Sequence, residues 1–211
     1  MGQAVATKGT KQRILDAALE LFSTYGYDAV SVERIARQVG IKAPSLYKHF
    51  KSKQDIFDSI VAEMDRAHED QTAQLHLNLG SAENDVTALV NMSEEELSDT
   101  VFNMVRFAAC DQRYGAFRRM LTIEQYHRHD LAERYADRYL QRYLDYHAKV
   151  FSALMALGVL RDGDPEMVAL QYFAPLVTFV GALDRHPERS EEVRGLVSRH
   201  IHQFRATYEV G

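Results

Sequence analysis

Apolar residues recur along this chain at intervals of three and four, the spacing of one helix face, and almost nowhere in strict alternation. Ile14, Leu15, Ala18, Leu19 and Phe22 predict a first helix over about Lys11 to Tyr25, with Thr10 as its cap and Gly26 as its stop. Ser31 is placed to cap a short helix, Val32 to Val39, which turns Ile35, Ala36 and Val39 inward and ends at Gly40 after two turns. A third helix starts at once, Lys42 to Phe50, with Pro44 tolerated in its first turn and Leu46 and Phe50 inward. Two short helices separated only by Gly40-Ile41 form a helix-turn-helix.

The remainder also reads as helix. A longer element is expected from about Ser52 to Leu77, followed by a mobile loop over Asn78 to Asn84. Ser93 and Glu96 have capping-box spacing and open a helix to about Cys110. Further helices are expected over Tyr114 to Tyr126, Asp130 to Leu157, Pro165 to Leu183 and Pro187 to Tyr208. There is no strand alternation, internal repeat or low-complexity linker. The expected fold class is therefore all-α: an N-terminal three-helix helix-turn-helix domain over residues 1–53, with a flexible tail at 1–9, and an all-helical domain over 54–211.

Composition narrows this picture. The 211 residues are 46% hydrophobic, as in an ordinary globular chain, and contain only 11 Gly and 4 Pro, too few turn-formers for a sandwich or barrel. The single cysteine, Cys110, excludes an intramolecular disulfide and a Cys-rich zinc site, in keeping with a reducing, cytoplasmic setting. The longest uncharged apolar stretch, Met167 to Leu183, is interrupted by Gln171, Pro175 and Thr178; it reads as a buried helix rather than a membrane span. Residues 1–9 lack the apolar core of a signal peptide, and Ala6 stands where a myristoylation pattern wants Ser or Thr. Neither a membrane nor a cofactor is expected. Net charge is −5, but residues 1–53 hold nine Lys and Arg against four Asp and Glu, while the remainder holds 16 against 26. A basic N-terminal portion on an acidic body points to one face that meets a polyanion, although clustering by chance gives the same count.

Ser31 to Phe57, SVERIARQVGIKAPSLYKHFKSKQDIF, resembles the N-terminal signature of the TetR family of bacterial regulators. The matching positions are Ser31, Ile35-Ala36, Gly40-Ile41, Leu46-Tyr47, His49-Phe50 and Lys53, with Ile14, Ala17-Ala18, Leu21-Phe22 and Gly26 upstream. The resemblance is dense over residues 8–60 and beyond that rests on length and helical layout. It implies a third helix that enters a major groove, with Lys42, Ala43, Pro44 and Ser45 approaching bases and Tyr47, His49 and Lys53 on phosphates. Ser31 would meet a phosphate while capping its helix, and Lys48 joins the basic surface. Each residue also has a plainer reading: Tyr47 packing on the first helix, His49, Lys48 and Lys51 simply solvated. Ala43 offers only a methyl group, so any base discrimination there is apolar.

In the body, Leu140, Leu144, His147, Phe151 and Leu154 share one helix face, and Tyr135, Tyr139, Tyr143, Tyr146 and Val150 lie about 100° away. Such an arc belongs to a central helix covered from two sides. It suits either a cavity for an aromatic or amphipathic small molecule or a solid core with tyrosine tips in water. Met104, Phe107, Met120, Tyr139, Tyr143, His147, Tyr172 and Phe173 are the lining candidates. The Pro165 to Leu183 helix is apolar on both sides: Tyr172, Phe173, Leu176, Phe179, Val180 and Leu183 on one, Met167, Leu170, Ala174, Val177, Thr178 and Gly181 on the other. The second face, with Val193, Leu196, Val197, Ile201 and Phe204 of the last helix, is expected to form a two-fold four-helix seam between copies, as the resemblance also implies. Glu124-x-x-His127 with His129 is the nearest approach to a metal motif, but it has no clear further ligand, so no metal site is expected. No phosphate-binding glycine loop, HExxH or nucleophile elbow is present, so no catalytic residues are named and no enzyme is expected. The chain therefore reads as a homodimeric, effector-responsive regulator, most simply a repressor on a near-palindromic operator of double-stranded DNA. The alternative is a DNA-binding regulator whose body docks a protein partner instead of a small molecule.

Overall fold

The computed structural model describes residues 9–74 and 82–210. Among these residues there are eleven α-helices, one π-helical turn and one 3₁₀ turn; the only strand-like pairing is a bridge between Leu160 and Glu209. The chain is all-α, as its spacing requires. It packs as two compact units: residues up to His68 with Ala116–Ala132, and Glu69–Gly115 with Glu133–Gly211. These packing units differ in extent from a single division after residue 53. Three helices, at Lys53–Gln74, Gln112–Glu124 and His129–Ala136, begin in one unit and end in the other, which no single cut expresses.

In the first unit, α1 is Thr10–Tyr25, α2 Val32–Val39, α3 Ala43–Leu46 and α4 Lys53–Gln74. Thr10 is the first helical residue rather than the cap; Gly9 is the N-cap and brings no side-chain acceptor. Ser31 caps α2 as expected, its Oγ accepting the Arg34 N–H at 3.2 Å. Gly40 takes φ +77°, which a side chain rarely tolerates, and the Ile41 N–H returns to the Ala36 carbonyl at 2.9 Å. Arg13 adds a donor at the same helix end, reaching the Val39 carbonyl. α3 is four residues long instead of the expected nine. Beyond it the His49 and Phe50 amides both return to the Leu46 carbonyl, at 2.9 and 3.2 Å, which tightens the chain into turns. Ile14, Ala18, Phe22, Ile35, Leu46, Phe50, Ile56 and Phe57 are buried and hold these helices together. Each such apolar side chain contributes roughly 1.5–3 kcal/mol.

The remaining helices are α5 (Ala82–Val90), α6 (Glu94–Cys110), α7 (Gln112–Glu124), α8 (His129–Ala136), α9 (Arg142–Ala156), α10 (Pro165–Arg185) and α11 (Ser190–Tyr208). α5 was not anticipated. Of the expected loop, 78–81 lie outside the described residues and 82–84 belong to this helix. Among the residues of this helix whose side chains are described, Val86 is the one buried hydrophobic residue, so the apolar pattern is too weak to read from sequence. The Tyr146 hydroxyl donates to Asp85 at 2.6 Å and fastens α5 to α9. α6 carries the reciprocal Ser93–Glu96 capping box. α7 starts two residues before its expected position because Asp111, not a later residue, caps it by accepting the Arg113 and Tyr114 N–H groups.

The helix expected over Asp130 to Leu157 is interrupted by a π-helical turn, Asp137–Gln141. The turn adds a residue to the register, and the neighbours Arg138 and Tyr139 are both buried, which plain α periodicity does not allow on one narrow stripe. α10 is long and apolar enough to cross a membrane by length and composition. It packs instead against α9, α6 and α11. The body core gathers Phe102, Val150, Ala169, Leu183, Val193, Val197 and Ile201.

Candidate nucleic-acid interface

The expected DNA-reading residues gather on one short stretch. Lys42 is the N-cap of α3, Pro44 lies in its first turn, and both are exposed, with Ala43 and Ser45 half-buried beside them. Tyr47 is 52% exposed, so it does not pack away against α1, and Lys48 and His49 are exposed with it. Leu46 and Phe50 are buried beneath them at 0% and 2%. The stretch thus alternates anchored apolar residues with free polar ends. That arrangement fixes the backbone while leaving lysines, a phenol and an imidazole available to an anionic partner.

Lys53 is differently placed. Its ammonium donates to the Tyr27 carbonyl at 2.8 Å and lies 4.1 Å from the Tyr27 ring centroid. It therefore braces the turn between α1 and α2; a lysine has three donors, so others remain for a phosphate. Two further residues stand here that sequence reasoning did not single out. Lys11 is exposed at the start of α1, its ammonium 5.5 Å from the centroid of Phe50. Arg34, half-buried in the first turn of α2, lies 3.7 Å over the Tyr25 ring. Both are basic residues on the face of a helix, a signal too common to isolate them. Glu124 is buried at 4% and accepts the Tyr27 N–H at 2.7 Å. This is the glutamate of the weighed Glu124-x-x-His127 pair; His127 is exposed, and no group of metal-binding side chains occurs among the described residues.

The expected effector residues form a connected aromatic cluster in the second unit. Tyr143 stacks on Phe173 (5.4 Å between centroids, 10° between planes), Phe173 neighbours His147 at 5.8 Å, and His147 neighbours Tyr172 at 4.9 Å. Phe107 meets Tyr114 at 5.1 Å, and Tyr114 meets Tyr139 edge-on at 6.0 Å. Tyr114 and Tyr143 share a hydrogen bond. Burial pushes the Tyr114 and Tyr172 phenols above their ordinary range. It pushes His147 down to about 4, against the upward pull of its Nδ1 contact with the Tyr143 carbonyl at 2.6 Å. His147 is thus a neutral imidazole that donates through Nδ1 at neutral pH. Met104 is half-buried; Met120 is fully buried and belongs to the first unit.

The expected inter-copy face also divides. Leu170 and Val177 are 43% and 38% exposed, and Ala174 is exposed with them. Val193, Val197 and Ile201 are instead buried at 1%, 0% and 0% in the body's own core, so they are not available to a partner chain. The last helix has one apolar stripe, and the protomer needs it. Leu196 is half-buried; Phe204, also half-buried, lies 5.2 Å from Phe151 and 5.0 Å from Tyr172 within the same unit.

A buried-core helix-turn-helix with a basic, exposed third element, joined to an all-helical body, defines a DNA-binding regulator of the helix-turn-helix class. Residues 14–60 match the model of the bacterial regulatory proteins of the tetR family, and residues 95–210, over half the chain, match the C-terminal domain of AefR-like transcriptional repressors. The chain belongs to the TetR family of DNA-binding transcription factors. It is 47% identical over 51 residues to IcaR of Staphylococcus aureus, the negative transcriptional regulator of the icaADBC biofilm operon, covering 24% of this chain and 27% of IcaR. It is 35% identical over 60 residues to the class D tetracycline repressor of Escherichia coli, covering 28% of each. The match thus spans only about a quarter of these relatives. Among solved structures, a TetR-family regulator from Mesorhizobium loti superposes with TM-score 0.63 at 22% identity over 95% of this chain and 97% of that one. The SmeT–triclosan complex does so with TM-score 0.60 at 20% identity over 96% and 93%. These two likenesses show the shared fold.

Proposed function

We propose that this protein is a homodimeric, cytoplasmic repressor that leaves a near-palindromic operator when a small aromatic or amphipathic effector enters its body. The observation that carries the DNA half is the exposed set Lys42, Tyr47, Lys48 and His49 seated on buried Leu46 and Phe50. The exposed apolar face of α10 supports a two-fold seam. Such a dimer sets two recognition elements about 34–36 Å apart, one helical turn of DNA. Repression, rather than activation, follows the negative regulator IcaR and the AefR-like repressor match. An aromatic effector follows the ring cluster around His147, and is in keeping with the triclosan bound by SmeT. The effector shifts the protein only through a difference in affinity between its DNA-competent and released states.

DNA fragments selected by the protein from a random pool provide the operator for its test. Affinity for the selected fragment should fall steeply with salt, because phosphate contacts release counterions. Lys48→Ala should lower affinity for all sequences alike and flatten the salt slope by about one. Lys42→Ala should in addition change which fragments are selected. Unchanged affinity, slope and selection in both variants would remove α3 and its flanks from the interface. On the effector side, a panel of phenols and amphipathic aromatics is scored for release of the selected fragment. Tyr143→Ala should raise the releasing concentration at least several-fold while leaving unliganded affinity within about two-fold. Equal loss of both would make Tyr143 a core residue, and a panel that never releases DNA would favour a body that docks a protein.

A further inference from the structure

α7 carries a buried stripe at Tyr114, Phe117, Leu121 and Glu124, which are 5%, 0%, 0% and 4% exposed. The spacing of three, four and three residues places all four on one helix face. Three of them suit an apolar contact; the fourth is a carboxylate. A buried carboxylate without donors is costly, and Glu124 finds its donor 97 positions away in the chain, on the Tyr27 amide. Tyr27 lies in the turn between α1 and α2, and the rest of its peptide unit is also held. Its carbonyl accepts from Lys53 Nζ at 2.8 Å and from the Val30 N–H at 3.3 Å. Its ring packs edge-on against Phe57 of α4 at 5.2 Å, and its hydroxyl donates to Gln54 at 3.0 Å. Gly26, immediately before it, takes φ +79°, a backbone conformation that a side chain rarely tolerates, and so turns the chain toward Glu124. Ser31, which caps α2, follows four residues later.

We infer that Glu124 is a positioning residue for DNA reading: through the Tyr27 amide it sets the α1–α2 turn from which α2 and its cap Ser31 follow. The inference rests on the DNA-binding role of the family and is independent of what the body binds.

The test uses the full-length protein, the DNA fragment it selects from a random pool, and backbone ¹⁵N labelling at tyrosine. Glu124→Ala deletes the acceptor and should weaken binding to the fragment by about ten-fold or more, since the part-buried Tyr27 amide loses its partner. Glu124→Gln keeps an acceptor oxygen at the same reach and should restore affinity to within about three-fold; a merely space-filling role would not separate the two variants this way. The Tyr27 amide resonance should move and its hydrogen exchange quicken in Glu124→Ala. Native DNA affinity in Glu124→Ala, or Glu124→Gln falling as far as Ala, overturns the positioning role. Should Glu124→Ala not fold, Glu124→Gln decides alone: an affinity more than about three-fold below native overturns the role.

Discussion

Val177→Asp should turn the protein into a monomer that no longer holds its operator. Val177 is 38% exposed on α10, in line with Leu170 at 43% and Met167 at 48%, with small Ala174 between them. An apolar face of this kind on a free surface exceeds what a monomer needs, and meeting its own copy across a two-fold axis covers it. An aspartate there is duplicated by the symmetry. Two carboxylates taken out of water beside each other cost several kcal/mol, and each 1.4 kcal/mol weakens a dimer about ten-fold. Sedimentation at micromolar concentration should show the monomer, and a mobility-shift assay should show loss of DNA binding, since one recognition element reads half a site. Far-ultraviolet dichroism should stay native, because the Val177 side chain leaves no hole in the protomer. A Val177→Asp protein that remains dimeric moves the seam off this face. Phe204→Asp is the wrong variant for the question: Phe204 packs on Phe151, Tyr172 and Tyr208, so a charge there damages the body itself.

Stability should fall as pH drops from about 6.5 toward 4, and much of that loss should vanish in His147→Leu. His147 sits among Tyr146, Phe151, Tyr172 and Phe173, and burial pushes its pKa down to about 4 from an ordinary 6.5. In that window the unfolded chain binds a proton that the folded chain refuses. Unfolding therefore gains free energy as pH falls through 6.5, and the effect is complete near pH 4. The gap corresponds to about 3 kcal/mol, a large part of a marginal 5–15 kcal/mol stability. Urea unfolding at pH 7.5 and pH 4.5 checks this in both proteins. An equal pH dependence in the two would mean that His147 is protonated in the folded body.

The headpiece was open to reading because its information is local. Ser31, Gly40 and the apolar positions Ile35, Ala36, Val39, Leu46 and Phe50 lie within twenty residues, and caps, a left-handed glycine and a packing stripe act on neighbours in the chain. The Ser93–Glu96 box is local in the same sense. Where the pattern weakens, so does the reading: among its described side chains α5 buries one hydrophobic residue, and α3 stops early because two amides compete for the Leu46 carbonyl. The π turn at Asp137–Gln141 shifts the register of the central helix, so two helical-wheel faces drawn through it could not both hold.

The chain's periodicity, caps and charge asymmetry determined an all-α protein with a basic helix-turn-helix ahead of an acidic body, since each of those features acts over one or two helical turns. Which apolar stripe faces the protomer's own core and which faces outward is a question of partners, and amphipathicity names no partner. Only the tertiary structure could bury Val193, Val197 and Ile201 inside the body while leaving Leu170 and Val177 exposed. Likewise, only folding could turn Glu124 from half of a metal-like pair into an acceptor for the Tyr27 amide, because a contact across 97 positions has no period to betray it.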